Sequence, residues 1–206
     1  MIHTLLFDLG NVLVHFSHEK MCTQIGLLCG RSGAEVRTLL FDSGLQWEFE
    51  RGQVSEREFH GRLERLVGSP LDFDELRLAG SDIFDLNPPM PFLLDQLRAR
   101  GHRLVLLSNT SITHYEFVER RFHFLEKFDD AVLSFRVGAI KPEPAIFAAA
   151  LKAIQCPPAE CFYTDDIPAY VEAGRSFGLN AEVFTDAASL VRQLGARGIP
   201  LEVPAT

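Results

Sequence analysis

Short apolar runs that end abruptly at polar or turn-forming residues recur along the chain. The first occupies residues 2–7 and stops at Asp8, Gly10 and Asn11, as expected for a buried β-strand that leads into a loop. Helical patterns lie between the runs. Strands that alternate with helices predict an α/β fold, a parallel sheet with helices on both faces. The further strands are predicted at 103–107, 131–133, 161–164 and 181–184, and the helices between them at 91–100, 144–154 and 169–177.

One long segment interrupts this alternation. Between about residues 16 and 85 no convincing strand is visible, only amphipathic patterns that are typical of helices. Ser55 and Glu58 have the spacing of a capping box at a helix start. We therefore predict a core domain of residues 1–15 and 86–206, interrupted by a helical domain of residues 16–85. The helices predicted within this insert span 34–41, 55–66 and 73–83.

Composition and charge exclude several classes of function. Hydrophobic residues make up 47% of the 206 residues and charged residues 23%, which is the profile of a globular protein. The net charge is −8 and no Lys/Arg run stands out. This argues against a nucleic-acid or membrane-binding surface, because such a surface must neutralise phosphates. The four cysteines form no C-x-x-C pair and the N-terminus has no basic leader, so we expect a cytoplasmic protein without a zinc site.

Polar residues that suit phosphoryl transfer lie at the ends of four predicted strands. Asp8 can act as a nucleophile that forms an aspartyl-phosphate, and Ser108-Asn109-Thr110 can hydrogen-bond a phosphate oxygen. Lys141 supplies a cation at a helix start, where free backbone N–H groups also favour an anion. Asp165-Asp166 supplies the hard oxygen ligands that Mg²⁺ prefers. Taken singly, each of these residues could equally be a turn residue, a helix cap or a surface charge. All four groups, however, lie at the position where parallel α/β sheets bind ligands.

These residues belong to four motifs that occur in order: Phe7-Asp8-Leu9-Gly10-Asn11-Val12-Leu13, Leu107-Ser108-Asn109-Thr110, Lys141-Pro142-Glu143-Pro144 and Tyr163-Thr164-Asp165-Asp166. Together the motifs resemble those of the haloacid dehalogenase superfamily, and the first is most similar to a branch of bacterial sugar-phosphate phosphatases that includes glucose-1-phosphate phosphatase. The resemblance spans about residues 5–185. It implies a Rossmann-like core, an α-helical cap inserted after the first motif, and Mg²⁺-dependent hydrolysis of a small phosphorylated metabolite by a monomer or homodimer.

The resemblance also implies a role for each motif residue that touches the phosphoryl group. Asp8 attacks phosphorus, and Lys141 balances the charge of Asp8 and of the phosphate. Ser108 and the backbone of Asn109 hold the phosphoryl oxygens.

The implied metal site uses neighbouring positions of the same motifs. The second oxygen of Asp8, the backbone carbonyl of Gly10 and the carboxylate of Asp166 bind Mg²⁺ directly. Asp165 takes part through water.

Two departures from the family pattern bear on activity. Gly10 stands where most family phosphatases have an Asp that acts as general acid and base, and a missing general acid costs about 10²–10⁴ in rate. We therefore predict a substrate with an easily departing group, such as a sugar-1-phosphate. His15 and His18 are candidate replacement acids, with ordinary surface or cap roles as the alternative. Tyr170 replaces an Asp or Asn that orients the lysine, and together with Ile167 it is expected to weaken lysine positioning or metal binding.

The insert contains one suggestive stretch, residues 47–52. Trp47 suits stacking on a sugar face, and the Glu and Arg residues beside it suit binding of hydroxyls; packing of Trp47 in the cap core is the alternative. Two other functions stay open at this point. A 2-haloacid dehalogenase would use Asp8 without a metal, although Asp165-Asp166 argues against it. A catalytically impaired binding protein is the third possibility, favoured by Gly10 and Tyr170.

Overall fold

The structure is a computed structural model that describes residues 1–203, in which strands and helices alternate apart from one helical insert. Among these residues no helix has both the length and the apolar composition that crossing a membrane requires. From the N-terminus the elements are β1 (Thr4–Phe7), β2 (Val14–Phe16), α1 (His18–Cys29), α2 (Gly33–Arg37), α3 (Leu45–Glu50), α4 (Glu56–Val67), α5 (Phe73–Ser81), β3 (Phe84–Leu86), α6 (Met90–Ala99), β4 (Arg103–Ser108), α7 (Ile112–Phe122), β5 (Asp130–Leu133), α8 (Ser134–Val137), α9 (Pro144–Ala153), β6 (Cys161–Asp165), α10 (Pro168–Ser176), β7 (Asn180–Val183) and α11 (Ala187–Gly195).

The central sheet has the strand order β5-β4-β1-β6-β7, and each neighbouring pair is parallel. All four residues of β1 are buried, because helices cover both faces of the sheet. Alternate side chains point to opposite faces, so Leu5 and Phe7 belong to one apolar cluster and Leu6 to the other. This arrangement confirms the predicted α/β fold and explains why β1 reads as a continuous apolar run.

The predicted strands agree with the observed ones to within one or two residues. The predicted capping box is also present, since Ser55 accepts a hydrogen bond from the Glu58 backbone and the Glu58 side chain accepts one from Ser55. The patterns did not predict α1, α3, α7, α8 or α11, nor the strands β2 and β3. A three-residue strand and the six-residue α3 are too short to show a repeat along the sequence.

A two-stranded ribbon joins the insert to the core. β2 and β3 pair antiparallel, with Val14 opposite Leu86 and Phe16 opposite Phe84, so the two ends of the insert leave the core side by side. The helices α1 to α5 run between these strands. Both boundaries predicted for the insert, residues 16 and 85, lie within this ribbon.

Polar contacts fix the insert against the core. Arg51 Nη2 lies 2.6 Å from Glu143 Oε1, just before α9. Thr113 Oγ1 of α7 donates to Glu56 Oε1 at 2.9 Å, and Arg77 also binds Glu56. Since α7 follows β4 and Glu143 follows Lys141 closely, these contacts hold the insert over the loops that carry the candidate site residues.

Candidate active site

The loops at the carboxyl ends of the central strands border a cavity of about 160 Å³ that is partly open to solvent. β1 lies between β4 and β6, so the residues that follow these three strands meet at one edge of the sheet. The sequence-predicted residues that line it are Asp8, Gly10, Trp47, Ser108, Asn109, Lys141 and Asp166.

Lys141 is the buried cation of the site. Its Nζ lies 2.8 Å from Asp8 Oδ1 and 2.6 Å from Asp165 Oδ2, and it donates to the Leu107 carbonyl at 3.1 Å. Burial alone lowers the pKa of Lys141, but Asp165 and Asp8 together raise it above its ordinary value. Burial raises the pKa of Asp8 to about 7, Lys141 opposes this shift and Asp165 adds to it. One fixed cation therefore lies between two carboxyl groups.

Asp165 is fully buried and holds Lys141 in place. Its Oδ2 accepts hydrogen bonds from Lys141 and from the Tyr163 hydroxyl at 2.6 Å each, and its Oδ1 accepts one from the Ile167 backbone N–H at 2.9 Å. Both oxygens are thus already engaged by the protein. Tyr163 was not singled out from the sequence, because nothing in an apolar strand indicates which tyrosine meets a carboxylate.

Asp166 is more accessible than Asp165. It is half-buried, and its Oδ2 accepts a hydrogen bond from Asn11 Nδ2 at 3.0 Å. Burial raises the pKa of Asp166, and the Asn11 hydrogen bond opposes this shift. One ligand oxygen from each of Asp8, Asp165 and Asp166 lies within 4.8 Å of the others. Three converging carboxylates offer hard oxygen donors, and this chemistry fits Mg²⁺.

The phosphate-binding candidates at the end of β4 are held by the backbone of Lys141. Asn109 Oδ1 accepts from the Lys141 N–H at 2.7 Å, and Asn109 Nδ2 donates to the Lys141 carbonyl at 3.1 Å. Ser108 is buried at the cavity wall. Tyr170 also faces this region, with its ring centroid 5.2 Å from Lys141 Nζ. Tyr170 therefore packs against the lysine, while the hydrogen bonds that Lys141 Nζ donates to Asp165 and to the Leu107 carbonyl orient it.

The space beside Gly10 is filled by an aromatic ring. A Cβ at this position would lie 2.7 Å from Phe16 Cε1, well inside contact distance. The Phe16 ring is itself packed against His18 and Phe84, with centroid separations of 4.9 and 6.1 Å. The position at which the sequence resemblance implies an acid thus has neither a carboxyl group nor room for one.

The insert contributes its own residues to the cavity. Trp47 is 39% exposed and lines the cavity, so it is not buried in the core of the insert. His18 also lines the cavity, whereas His15 is exposed on β2 opposite Asp85. Burial lowers the pKa of His18, and Arg37 adds to that shift.

Two titratable lining residues were missed from the sequence as individual site residues, Glu50 and His114. Glu50 lies in the 47–52 stretch already considered for hydroxyl binding, which was the only signal for it. His114 carried no sequence signal, since a single histidine in a helix is usually structural.

Comparisons with known proteins agree with this fold. A model of the haloacid dehalogenase-like hydrolase family matches residues 2–178. The D-ribitol-5-phosphate phosphatase of Bacteroides thetaiotaomicron is 29% identical over 188 aligned residues, which cover 86% of this chain and 89% of that protein.

Two solved structures have similar folds. A predicted HAD-like family hydrolase from Porphyromonas gingivalis superposes with a TM-score of 0.81 at 26% identity, and the match covers 98% of this chain and 100% of that one. A HAD family enzyme from Bacteroides thetaiotaomicron, in complex with magnesium and inorganic phosphate, superposes with a TM-score of 0.82 at 23% identity, over 91% of this chain and 96% of that one.

Proposed function

The chain belongs to the haloacid dehalogenase-like hydrolase family, and we propose that it is a magnesium-dependent phosphatase with Asp8 as its nucleophile. The cluster at the carboxyl end of β1 carries this proposal. Asp8 lies 2.8 Å from the Lys141 ammonium and close to the carboxylates of Asp165 and Asp166. A nucleophile, a fixed cation and a carboxylate metal site are the parts that phosphoryl transfer needs. The phosphatase relative, and the magnesium and phosphate in the structural neighbour, agree with it.

The proposed reaction has two steps at phosphorus. Lys141 holds Asp8 Oδ1, which leaves Oδ2 to attack the phosphoryl group of the substrate. The Ser108 hydroxyl and the Asn109 backbone hold phosphoryl oxygens during the transfer. Water then hydrolyses the aspartyl-phosphate and releases inorganic phosphate, so that Asp8 is restored.

In this proposal the metal site consists of residues that surround the nucleophile. Asp8, Asp166 and the backbone carbonyl of Gly10 hold Mg²⁺, which when bound neutralises charge on the phosphoryl oxygens. The oxygens of Asp165 already accept three hydrogen bonds. Asp165 therefore contributes to the metal site through a water molecule, and it also holds Lys141 in position.

The proposed substrate is a small phosphorylated metabolite whose leaving group departs readily, such as a sugar-1-phosphate. Gly10 provides no carboxyl group, and Phe16 fills the space that one would occupy. Without a general acid at this position, poor leaving groups lose about 10²–10⁴ in rate, and activated ones lose least. Trp47, partly exposed in the cavity wall, provides an aromatic face for a sugar ring.

The experiment that tests this function measures phosphate release. The panel contains sugar-1-phosphates, sugar-6-phosphates, acyl phosphates, nucleotides and simple alkyl phosphates, each with Mg²⁺ and with EDTA. We expect release that requires Mg²⁺ and is lost in Asp8→Asn, while Asp42→Asn at an exposed position retains it. Release that persists in EDTA or in Asp8→Asn would contradict the phosphatase mechanism, and chloride release from a haloacid would favour a dehalogenase. If alkyl phosphates react fastest, the leaving-group argument is wrong.

A further inference from the structure

The insert brings a carboxyl group, that of Glu50, into the active-site cavity. Glu50 is the last residue of α3, is 6% exposed, and lines the same cavity as Asp8 and Lys141. Gln46, also buried and one turn earlier on α3, donates to Glu50 Oε1 at 2.9 Å. Among residues 1–203 no donor hydrogen-bonds to Glu50 Oε2. One oxygen is therefore oriented by the protein and the other remains available to a ligand.

The position of Glu50 is tied to the phosphate-binding loop. Ser134 Oγ lies 2.6 Å from the Glu50 carbonyl oxygen, and it also accepts a hydrogen bond from the Thr110 backbone N–H at 2.9 Å. Thr110 directly follows Ser108 and Asn109. The same serine thus joins the end of α3 to the loop proposed to hold the phosphoryl group. The glutamate comes from the insert, but the core determines where its carboxyl group lies.

The other unassigned titratable groups of the cavity are poor proton donors near pH 7. Burial lowers the pKa of His114 to about 4, and its Nε2 is engaged with the Gly80 carbonyl at 3.0 Å. Burial lowers the pKa of His18 as well. Both imidazoles are therefore predominantly neutral.

Glu50 behaves in the opposite way. Burial raises its pKa, which favours the protonated carboxyl, while the Gln46 hydrogen bond and the Arg51 guanidinium oppose the shift. The Tyr170 hydroxyl is the titratable group that faces Glu50 from α10, and burial raises the pKa of Tyr170. Near pH 7 the Tyr170 hydroxyl therefore keeps its proton, is neutral, and adds no charge beside Glu50.

We propose that Glu50 is the proton donor to the leaving group, in place of the acid that is absent at Gly10. The proposal rests on the phosphatase function above. A proton from Glu50 offsets the rate penalty that poor leaving groups suffer from the missing acid at Gly10, so the order of reactivity in the substrate panel measures how far Glu50 replaces that acid. When Asp8 Oδ2 bonds to phosphorus, the bond from phosphorus to the leaving oxygen breaks and its electron pair stays on that oxygen, which takes the proton of Glu50. Water then attacks phosphorus, the bond to Asp8 breaks, and the Glu50 carboxylate takes a proton from the water. Both residues return to their initial states.

The test compares leaving groups in Glu50→Gln. Glutamine keeps an acceptor for Gln46 but has no acidic proton. We expect kcat/KM for the best sugar phosphate to fall about 100-fold or more, and for p-nitrophenyl phosphate, whose leaving group needs no proton, to fall by less than about 3-fold. Glu75→Gln is the control, because Glu75 also belongs to the insert but is exposed on α5 and does not line the cavity. It should leave both values unchanged.

The wild-type protein supplies a second readout that does not depend on the folding of a variant. The rate with the sugar phosphate should decline at high pH as Glu50 loses its proton, and this decline should be weak with p-nitrophenyl phosphate. If kcat/KM falls equally for both substrates in Glu50→Gln, or if the wild type has identical pH profiles with both, the role of Glu50 is overturned while the phosphatase function stands. Absence of metal-dependent phosphate release in the wild type overturns the proposed function itself, and the role of Glu50 with it.

Discussion

Gly10 and Phe16 provide a direct test of how the site is packed. The perturbation is Gly10→Ala, made in the wild type and again with Phe16→Ala. The added Cβ would lie 2.7 Å from Phe16 Cε1, whereas carbon atoms in contact are about 3.5–4.0 Å apart. The ring must move by about 1 Å, and His18 and Phe84 are packed against it. Gly10 does not have a left-handed φ, so alanine adds no backbone strain.

The expected magnitude follows from these contacts. Overpacking of this kind costs about 1–3 kcal/mol. The loss of chain freedom in the unfolded state offsets about 0.4–1 kcal/mol of that cost. We therefore expect Gly10→Ala to lower the free energy of unfolding by about 1–2 kcal/mol in the wild type. In the Phe16→Ala background the cost should vanish, which gives a coupling energy of about 1–3 kcal/mol.

The assay is urea unfolding followed by circular dichroism, with the four proteins of the cycle compared at equal m-values. Gly80→Ala is the matched control, because Gly80 lies in α5 with nothing within 4 Å of an added Cβ. It should stabilise the protein by up to about 1 kcal/mol, as alanine does in helices. If Gly10→Ala costs the same in both backgrounds, Phe16 does not occupy the space of the missing acid and the steric reasoning is wrong.

Three further predictions concern the charges around the site. Lys141→Met leaves Asp8 and Asp165 buried without their cation, so the free energy of unfolding measured in urea should fall by about 3–5 kcal/mol. As a control, Lys127→Met removes an ion pair at the surface and should lower the free energy of unfolding by about 0–1 kcal/mol. Equal losses in the two variants would contradict the proposed importance of the buried cation. Asn11, at φ 54°, holds Asp166, and Asn11→Gly keeps that backbone conformation while removing the amide. We expect Mg²⁺ affinity to fall about 10–100-fold, measured as a smaller Mg²⁺-dependent rise in unfolding temperature; an unchanged rise would count against the role of Asn11. His114 has its pKa lowered to about 4, so between about pH 6.5 and 4 the unfolded chain binds a proton that the folded chain does not. The contribution of His114 to the free energy of unfolding should fall by roughly 3 kcal/mol as the pH drops through that window. Asp8, whose pKa is raised to about 7, contributes with the opposite sign, so the fall should be measured as the difference between the wild type and His114→Gln in urea unfolding.

Local sequence patterns predicted which strand ends carry the site residues, because a strand and its end are encoded by residues that are close together in the sequence. A strand buried on both faces must be apolar throughout, and its end is visible where polar and turn-forming residues begin, as at Asp8. The same reasoning located Ser108, Lys141 and Asp166 at strand ends or a helix start. Tyr163 could not be assigned in this way, since its hydroxyl meets Asp165 only through the arrangement of neighbouring side chains in the folded sheet.

The sequence by itself determined the parallel α/β core, the position of the helical insert and the residues that meet at the carboxyl edge of the sheet. These follow from hydrophobic periodicity and from the rule that parallel strands end on the same side. Only the tertiary structure decided that Phe16 fills the space beside Gly10, that Asp165 accepts a hydrogen bond from Lys141, and that Glu50 lines the same cavity as Asp8. Each of these depends on contacts between segments far apart along the chain, whose packing no local repeat of polar and apolar residues encodes.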